Sequence, residues 1–185
     1  MKLKDKIIAI LATDGFEQSE LFEPLKALKD QGATVHIVSD KEGKIKGWDK
    51  TDWGKHIEVD KKVDAAHVKD YDALVLPGGV LNPDSLRTHT VALNFIKAFF
   101  ESSKPVAAIC HAPWLLISAG VINGRKVTSF KSIKEDVINA GAEWQDKEVV
   151  VDNGLVTSRN PDDLPAFCDK IIEEVIEGKH DEQHA

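Results

Sequence analysis

The feature of this chain that most restricts its fold is a buried strand that turns directly into a helix at a single cysteine. Residues 106–109 read Val-Ala-Ala-Ile, a short apolar run typical of a central parallel strand, and Cys110 follows at once. Leu115 and Ala119 then recur at helical spacing, and Gly120 ends the helix. Because no loop separates strand from helix, the turn is tight and lifts the side chain at its apex out of the backbone. The sequence therefore predicts a nucleophile elbow at Cys110.

The neighbours of Cys110 suit such a turn. Ala108 and Ala112 lie two positions to either side and are small, and Pro113 fits a first helical turn, which does not need its N–H. The unpaired N–H groups and the dipole at a helix N-terminus favour an anion. We therefore expect the Cys110 thiolate to be stabilised.

The rest of the chain alternates between buried strands and amphipathic helices. This order predicts an α/β fold in which helices cover both faces of a mainly parallel sheet. Predicted strands cover residues 7–13, 34–39, 73–76, 106–109 and 126–128, with a hairpin or an irregular excursion in residues 44–60 and a hairpin in residues 148–158. Predicted helices cover residues 19–31, 90–102, 113–119 and 160–178, and another helix opens with a capping box at Ser132. We expect one domain over residues 1–178, followed by a polar tail at residues 179–185.

The composition narrows the class of protein. A chain of 185 residues that is 42% hydrophobic can bury one substantial core. Its net charge of −7 argues against nucleic acid or an anionic membrane surface as the main partner. The first apolar run is too short for a signal peptide or a membrane span, and the chain has only two cysteines, Cys110 and Cys168. A disulfide framework is therefore implausible, and we expect the protein in the cytoplasm.

Several candidate functional groups follow predicted strands, where the sites of open parallel sheets lie. Cys110 is the candidate nucleophile and His111 its candidate base. Glu17, if buried beside the thiol, would be protonated and could donate a hydrogen bond to the thiolate; otherwise it is a solvated acid at a helix start. The backbone N–H groups of Gly79 and His111 could form an oxyanion hole. Packing on the last helix accounts for Cys168.

Cofactors and metals are not expected. The chain has no G-x-G-x-x-G or P-loop string, so a nucleotide cofactor is not indicated. His180 and His184 have a metal-like spacing, but they fall in the polar tail, and no metal site is predicted there.

Four motifs, in order along nearly the whole chain, resemble the ThiJ/PfpI family, and most of all its PfpI-type general stress proteins. The resemblance implies a flavodoxin-like α/β sandwich of the class I glutamine amidotransferase-like superfamily. The four motifs are Ala73-Leu74-Val75-Leu76-Pro77-Gly78-Gly79, Ala108-Ile109-Cys110-His111-Ala112-Pro113, Asn139-Ala140-Gly141-Ala142-Glu143-Trp144 and Val156-Thr157-Ser158-Arg159-Asn160-Pro161-Asp162-Asp163-Leu164.

The resemblance also implies roles for particular residues. By it, Cys110 is the nucleophile, His111 its partner, Glu17 the acid that hydrogen-bonds the thiol, and Gly79 an oxyanion donor. The third acid of the triad, Asp84, would come from a neighbouring subunit. A homodimer or a larger ring with the site at an interface is therefore expected.

Members of this family are described as cysteine peptidases, as glyoxalases or deglycases, and as stress chaperones. Our hypothesis is a stress-response enzyme whose Cys110 thiolate attacks small carbonyl compounds or glycated proteins. No peptide-binding groove or propeptide is visible, which favours the small-carbonyl reading. A PfpI-type peptidase and a non-enzymatic redox sensor or chaperone, using oxidation of Cys110, remain the alternatives.

Overall fold

The computed structural model describes residues 1–183 and 185 and is built around a mainly parallel sheet. The strands of the described residues, β1 to β12 in chain order, are Ile7–Leu11, Phe16–Glu17, Thr34–Ser39, Lys44–Asp49, Asp52–Glu58, Lys61–Lys62, Ala73–Leu76, Val106–Ile109, Lys126–Val127, Glu143–Trp144, Val149–Asp152 and Leu155–Ser158. The α-helices, α1 to α6, are Gln18–Asp30, Leu81–Leu86, Thr90–Glu101, Pro113–Ala119, Lys134–Asn139 and Leu164–Glu177.

The main sheet has seven strands in the order β11-β12-β8-β7-β1-β3-β6. All neighbours in it are parallel except β11 and β12, which form an antiparallel hairpin. Every residue of β7 and β8 is buried, as their uninterrupted apolar sequences indicate. Two smaller sheets pair β9 with β10, and β4 with β2 and β5. The predicted α/β class is confirmed.

Helices cover both faces of this sheet, because successive side chains of a strand point to opposite sides. On β1, Ile8 and Ile10 belong to one hydrophobic cluster with Leu28 of α1 and Ile171 of α6. Ala9 and Leu11 belong to the other cluster, which contains side chains of α3, α4 and α5. The carboxyl ends of the parallel strands are thus left open between two helical layers, where a site can form.

Several predicted elements match the structure closely, and two helix starts differ. Strands β3 and β7 have the predicted bounds, and residues 44–60 form the β4–β5 hairpin. A 3₁₀ turn, Pro161–Asp163, precedes α6, and the Asn160 side chain caps that turn. The capping box predicted at Ser132 is wrong: a 3₁₀ turn, Lys131–Ile133, precedes α5, which has no side-chain cap.

The polar tail predicted at residues 179–185 contains His184, which lies outside the described residues. The His180 backbone N–H donates to the Ser103 carbonyl at 2.9 Å, and Gln183 is buried. This part of the tail therefore packs against the body of the protein. Across residues 1–183 and 185, no helix combines the length and the apolar character that crossing a bilayer requires.

Candidate active site

Cys110 lies at the apex of the turn between β8 and α4. Its φ of 64° is in the left-handed region, which costs a non-glycine residue about 1–2 kcal/mol. Two backbone hydrogen bonds hold it there: its N–H donates to the Ser158 carbonyl at 3.1 Å, and its carbonyl accepts from the Phe130 N–H at 2.8 Å. The predicted elbow is confirmed, and its side chain is 6% exposed.

The His111 imidazole lies beside the Cys110 thiol. Nδ1 is 3.1 Å from the Cys110 sulfur, and Nε2 is 3.1 Å from the Ser132 hydroxyl oxygen. The ring stacks on Phe130, with ring centres 4.7 Å apart. Burial lowers the pKa of His111, so the imidazole is neutral near pH 7 and one of its nitrogens can accept a proton.

The carboxyl group next to the thiol belongs to Glu20, which corrects the position expected for Glu17. Glu20 is fully buried on the first turn of α1, and its Oε2 accepts from the Gly78 N–H at 2.8 Å. A Cβ added to Gly78 would lie 2.6 Å from that oxygen and 2.7 Å from the Cys110 Cβ. Glu17 instead caps α1: its Oε2 accepts from the Ser19 hydroxyl at 2.5 Å and from the Glu20 N–H at 2.8 Å. This capping turns the Glu17 carboxylate toward the helix backbone.

Burial keeps both Glu20 and Cys110 protonated. It raises the pKa of Glu20 to about 8, and the charge of Glu17 adds to that effect. Burial is also the main cause that raises the pKa of Cys110, followed by repulsion from the Glu20 carboxylate. The N–H groups of Gly79 and His111 lower the pKa of Cys110, but burial outweighs them. These shifts run against the resting thiolate expected from the sequence and favour a thiol beside a neutral carboxylic acid.

The Gly79 backbone approaches too closely for any other residue. Its φ is 80°, and an added Cβ would lie 2.5 Å from the Gly15 carbonyl oxygen and 2.7 Å from the Glu17 nitrogen. The Gly79 and His111 N–H groups both lie near enough to the Cys110 sulfur to lower its pKa. The two donors expected at an oxyanion hole thus converge on the elbow.

Asp84 and Cys168 lie apart from this cluster. Asp84 is exposed in the first turn of α2, and in this chain the Nε2 of His111 faces Ser132. A role for Asp84 in a neighbouring subunit stays a prediction. Cys168 is partly buried on α6, where burial raises its pKa to about 12.

Sequence reasoning missed Glu20 and Ser132. The sequence did contain a signal for Glu20. It lies four residues before Pro24 and eight before Leu28, so the helical repeat places it on the buried stripe of α1. Ser132 had none, because its approach to His111 joins two segments that are distant in sequence.

The sheet order, the two helical layers and the cysteine elbow define the class as flavodoxin-like α/β proteins with a candidate thiol nucleophile. The model of the DJ-1/PfpI family matches residues 6–174, and the chain belongs to that family. The resemblance to ThiJ/PfpI proteins drawn from the four motifs is thereby confirmed.

Two curated relatives and one solved structure illustrate the likeness. Deglycase TK1284 of Thermococcus kodakarensis is 47% identical over 165 residues, which cover 89% of this chain and 96% of the relative. General stress protein 18 of Bacillus subtilis is 47% identical over 164 residues, covering 88% and 93%. The crystal structure of Drosophila melanogaster DJ-1beta is 27% identical, with a TM-score of 0.85, and the likeness covers 92% of this chain and 90% of that one.

Proposed function

We propose that this protein is a cysteine-dependent stress-response enzyme that acts on reactive carbonyl compounds, free or as adducts on proteins. The observation that carries the proposal is the contact between the Cys110 sulfur and His111 Nδ1, 3.1 Å apart, next to the buried acid Glu20. The names of the relatives Deglycase TK1284 and General stress protein 18 support the substrate class and the stress context.

The first step follows from the resting protonation states. The Cys110 thiol gives its proton to His111 Nδ1 while Nε2–H donates to Ser132. The sulfur attacks the carbonyl carbon, a C–S bond forms, and the electron pair of the C=O double bond moves to oxygen. The N–H groups of Gly79 and His111 stabilise that oxyanion, which takes the proton back from His111. The product is a hemithioacetal.

For a dicarbonyl such as methylglyoxal, the rest of the reaction needs only proton transfers and water. A base removes the proton from the hemithioacetal carbon, and the neighbouring ketone carbon gains one through an enediol. One carbon is oxidised and the other reduced, which leaves a lactoyl thioester on Cys110. Water cleaves the thioester to lactate and the free thiol. For an amine adduct, the C–N bond breaks as the C–S bond forms, and the amine leaves with a proton.

The enclosure of the site favours small substrates. Cys110 and His111 are only 6% and 7% exposed, so a carbonyl compound reaches the sulfur more readily than an extended peptide does. Both cysteines are free thiols, which suits the reducing cytoplasm as the proposed location.

The proposal predicts that Cys110→Ser abolishes carbonyl turnover. We expect a loss of roughly 10³-fold or more in kcat/KM for methylglyoxal and for a glycated peptide, because serine is a far weaker nucleophile than cysteine here. Cys168→Ser is the matched control and should keep wild-type turnover, since it lies on α6 outside the site.

Full methylglyoxal turnover by Cys110→Ser would overturn the proposal. The alternatives have their own readouts on the wild-type protein. Cleavage of an unmodified peptide without carbonyl turnover would favour a peptidase. Stoichiometric oxidation of Cys110 by mild peroxide without turnover, seen by mass spectrometry, would favour a sensor or chaperone.

A further inference from the structure

A second cluster of ligand-bearing side chains lies at the end of α6. One ligand atom each from Glu174, Glu177 and His180 lie within 4.8 Å of one another. The two glutamates are one turn apart on the helix, and Gly178, with φ 89°, ends the helix just before His180. The cluster is at the opposite end of β8 from Cys110, because the His180 N–H binds the carbonyl of Ser103, which precedes that strand.

Two ligand atoms of this cluster are buried without a hydrogen bond. Glu174 is 4% exposed, and its Oε2 lies 3.0 Å from His180 Nε2. The two atoms form an ion pair only if the imidazole is protonated, and neither has a hydrogen-bond partner among the described residues. Ligand bonds of about 2.0–2.2 Å to one zinc ion place neighbouring donor atoms about 3.3–3.6 Å apart at the tetrahedral angle, a few tenths of an ångström more than the 3.0 Å seen here. The spacing therefore suits two ligands of one ion.

Gln183 supplies an independent observation. It is 1% exposed, and within the described part of the chain neither its Oε1 nor its Nε2 has a hydrogen-bond partner. Its amide lies beside the His180 ring: a Cβ added to Gly154 would be 2.6 Å from Gln183 Oε1 and 2.8 Å from His180 Cδ2. An unpaired buried amide costs about 1–3 kcal/mol, so this oxygen needs a partner in the same space.

We propose that Glu174, Glu177 and His180 bind a divalent metal ion of the zinc class, with the Gln183 amide oxygen as a further donor. An imidazole with two carboxylates is a ligand set that zinc accepts. The ion would give the buried Glu174 carboxylate a positive partner and would fix residues 178–183 against the β11–β12 turn. The sequence alone predicted no metal site here, because the three ligands converge only where α6 ends and the chain turns back.

The test uses the full chain without a polyhistidine tag, in a Cys110→Ser background, so that the thiol cannot hold zinc. Competition with a chromogenic chelator should show one equivalent of Zn²⁺ bound, and zinc should raise the Tm. His180→Ala and Glu177→Gln should each weaken binding by at least about 10-fold, the effect that loss of a mere supporting partner already has in metal sites. The control is Glu173→Gln on the same helix, whose carboxylate pairs with Lys170; it should bind as the background does.

Two results would overturn the proposal: no stoichiometric zinc binding, or equal affinity in all three variants. If His180→Ala does not fold, Glu177→Gln decides alone, because the Glu177 side chain is exposed and its change leaves the core intact. Zinc affinity is read without any enzyme assay, so failure here leaves the proposed carbonyl chemistry untouched.

Discussion

Around Cys110, burial acts on three ionisable groups and favours the uncharged form of each. It raises the pKa of Glu20 and of the Cys110 thiol, and it lowers the pKa of His111. The charged forms of these three groups are therefore disfavoured in the resting site. On the proposed mechanism, charge arises only when the thiol proton moves to His111 and the substrate oxygen takes up the electron pair. A neutral Glu20 carries a proton that it could donate toward the sulfur, which an ionised Glu20 does not.

The raised pKa of Glu20 makes stability depend on pH. Its folded pKa of about 8 lies above its ordinary value of 4.5, so its contribution is fully present below pH 4.5 and is lost as pH rises through 8. We expect the free energy of unfolding to fall with a slope approaching about 1.4 kcal/mol per pH unit between these values. Urea unfolding of wild type and Glu20→Gln from pH 5 to 8.5 measures this.

The Glu20→Gln variant should have a clearly shallower slope, because its amide does not ionise; buried Glu174, whose pKa burial also raises, keeps part of the slope in both proteins. Glu23→Gln removes an exposed acid from the same helix and should keep the wild-type slope. If Glu20→Gln and wild type lose stability in parallel over this range, Glu20 is not the group that titrates.

At the scale of single residues, the sequence predicts those whose positions are fixed by the turns that follow β7 and β8. Cys110 and His111 lie at the elbow, and Gly79 follows β7 on the neighbouring strand. The sequence does not say which of Glu17 and Glu20 lies beside the thiol, because that depends on the residue at which α1 begins. Since α1 begins at Gln18, Glu17 is its N-cap and Glu20 faces the sheet. Ser132 could not be found, because it lies 21 residues from His111 in sequence and no neighbouring residue indicates the contact between them.

At the scale of elements, two loops have to meet for the site to exist. The loop after β7 brings the Gly78 N–H to Glu20 and the Gly79 N–H to the sulfur at the β8–α4 turn. Parallel neighbours in register, such as Leu76 with Ala108, put both loops at the same edge of the sheet. The order of strands and helices thus predicts the edge of the sheet at which the site lies. The contacts between the loops depend on distances that only the folded backbone sets.

Gly79→Ala tests how tightly these loops fit. Gly79 and Gly120 have similar positive φ values, 80° and 73°, so alanine strains both backbones alike, by about 1–2 kcal/mol. Only at Gly79 does the added Cβ also meet backbone atoms; at Gly120 nothing lies within 4 Å. We expect Gly79→Ala to lose at least about 1 kcal/mol more in urea unfolding than Gly120→Ala, and most of its carbonyl turnover as well. Equal losses of unfolding free energy in the two variants would show that the backbone around Gly79 can move away from the added Cβ at no cost in stability.

At the scale of the whole molecule, the position of Asp84 bears on whether the site is completed by one chain or by two. Asp84 is exposed on α2, and Val80 and Leu81 before it expose about half of their surface. A second copy packed on this surface could bring its Asp84 to His111, as the family resemblance implies. A single chain provides Ser132 as the partner of His111 Nε2.

Mixing two inactive variants tests for a shared site. We expect Asp84→Asn to lower kcat/KM roughly 10²-fold and Cys110→Ser to abolish turnover. If Asp84 acts across subunits, each hybrid dimer keeps one intact site, and co-refolding the two variants restores roughly a quarter of wild-type activity. Refolding each variant alone is the control. Full activity of Asp84→Asn, or no gain on mixing, would contradict a shared triad.

Both backbone groups of Cys110 are engaged, the N–H with Ser158 of β12 and the carbonyl with Phe130. The elbow is therefore anchored to the sheet on one side and to the segment before α5 on the other, and swinging it outward would break both bonds. The sulfur stays still while a substrate approaches. Phe130, which stacks on the His111 ring and is 37% exposed, lies between this anchored turn and the surface. We therefore expect access to the thiol to depend more on the Phe130 side chain than on flexing of the catalytic turn.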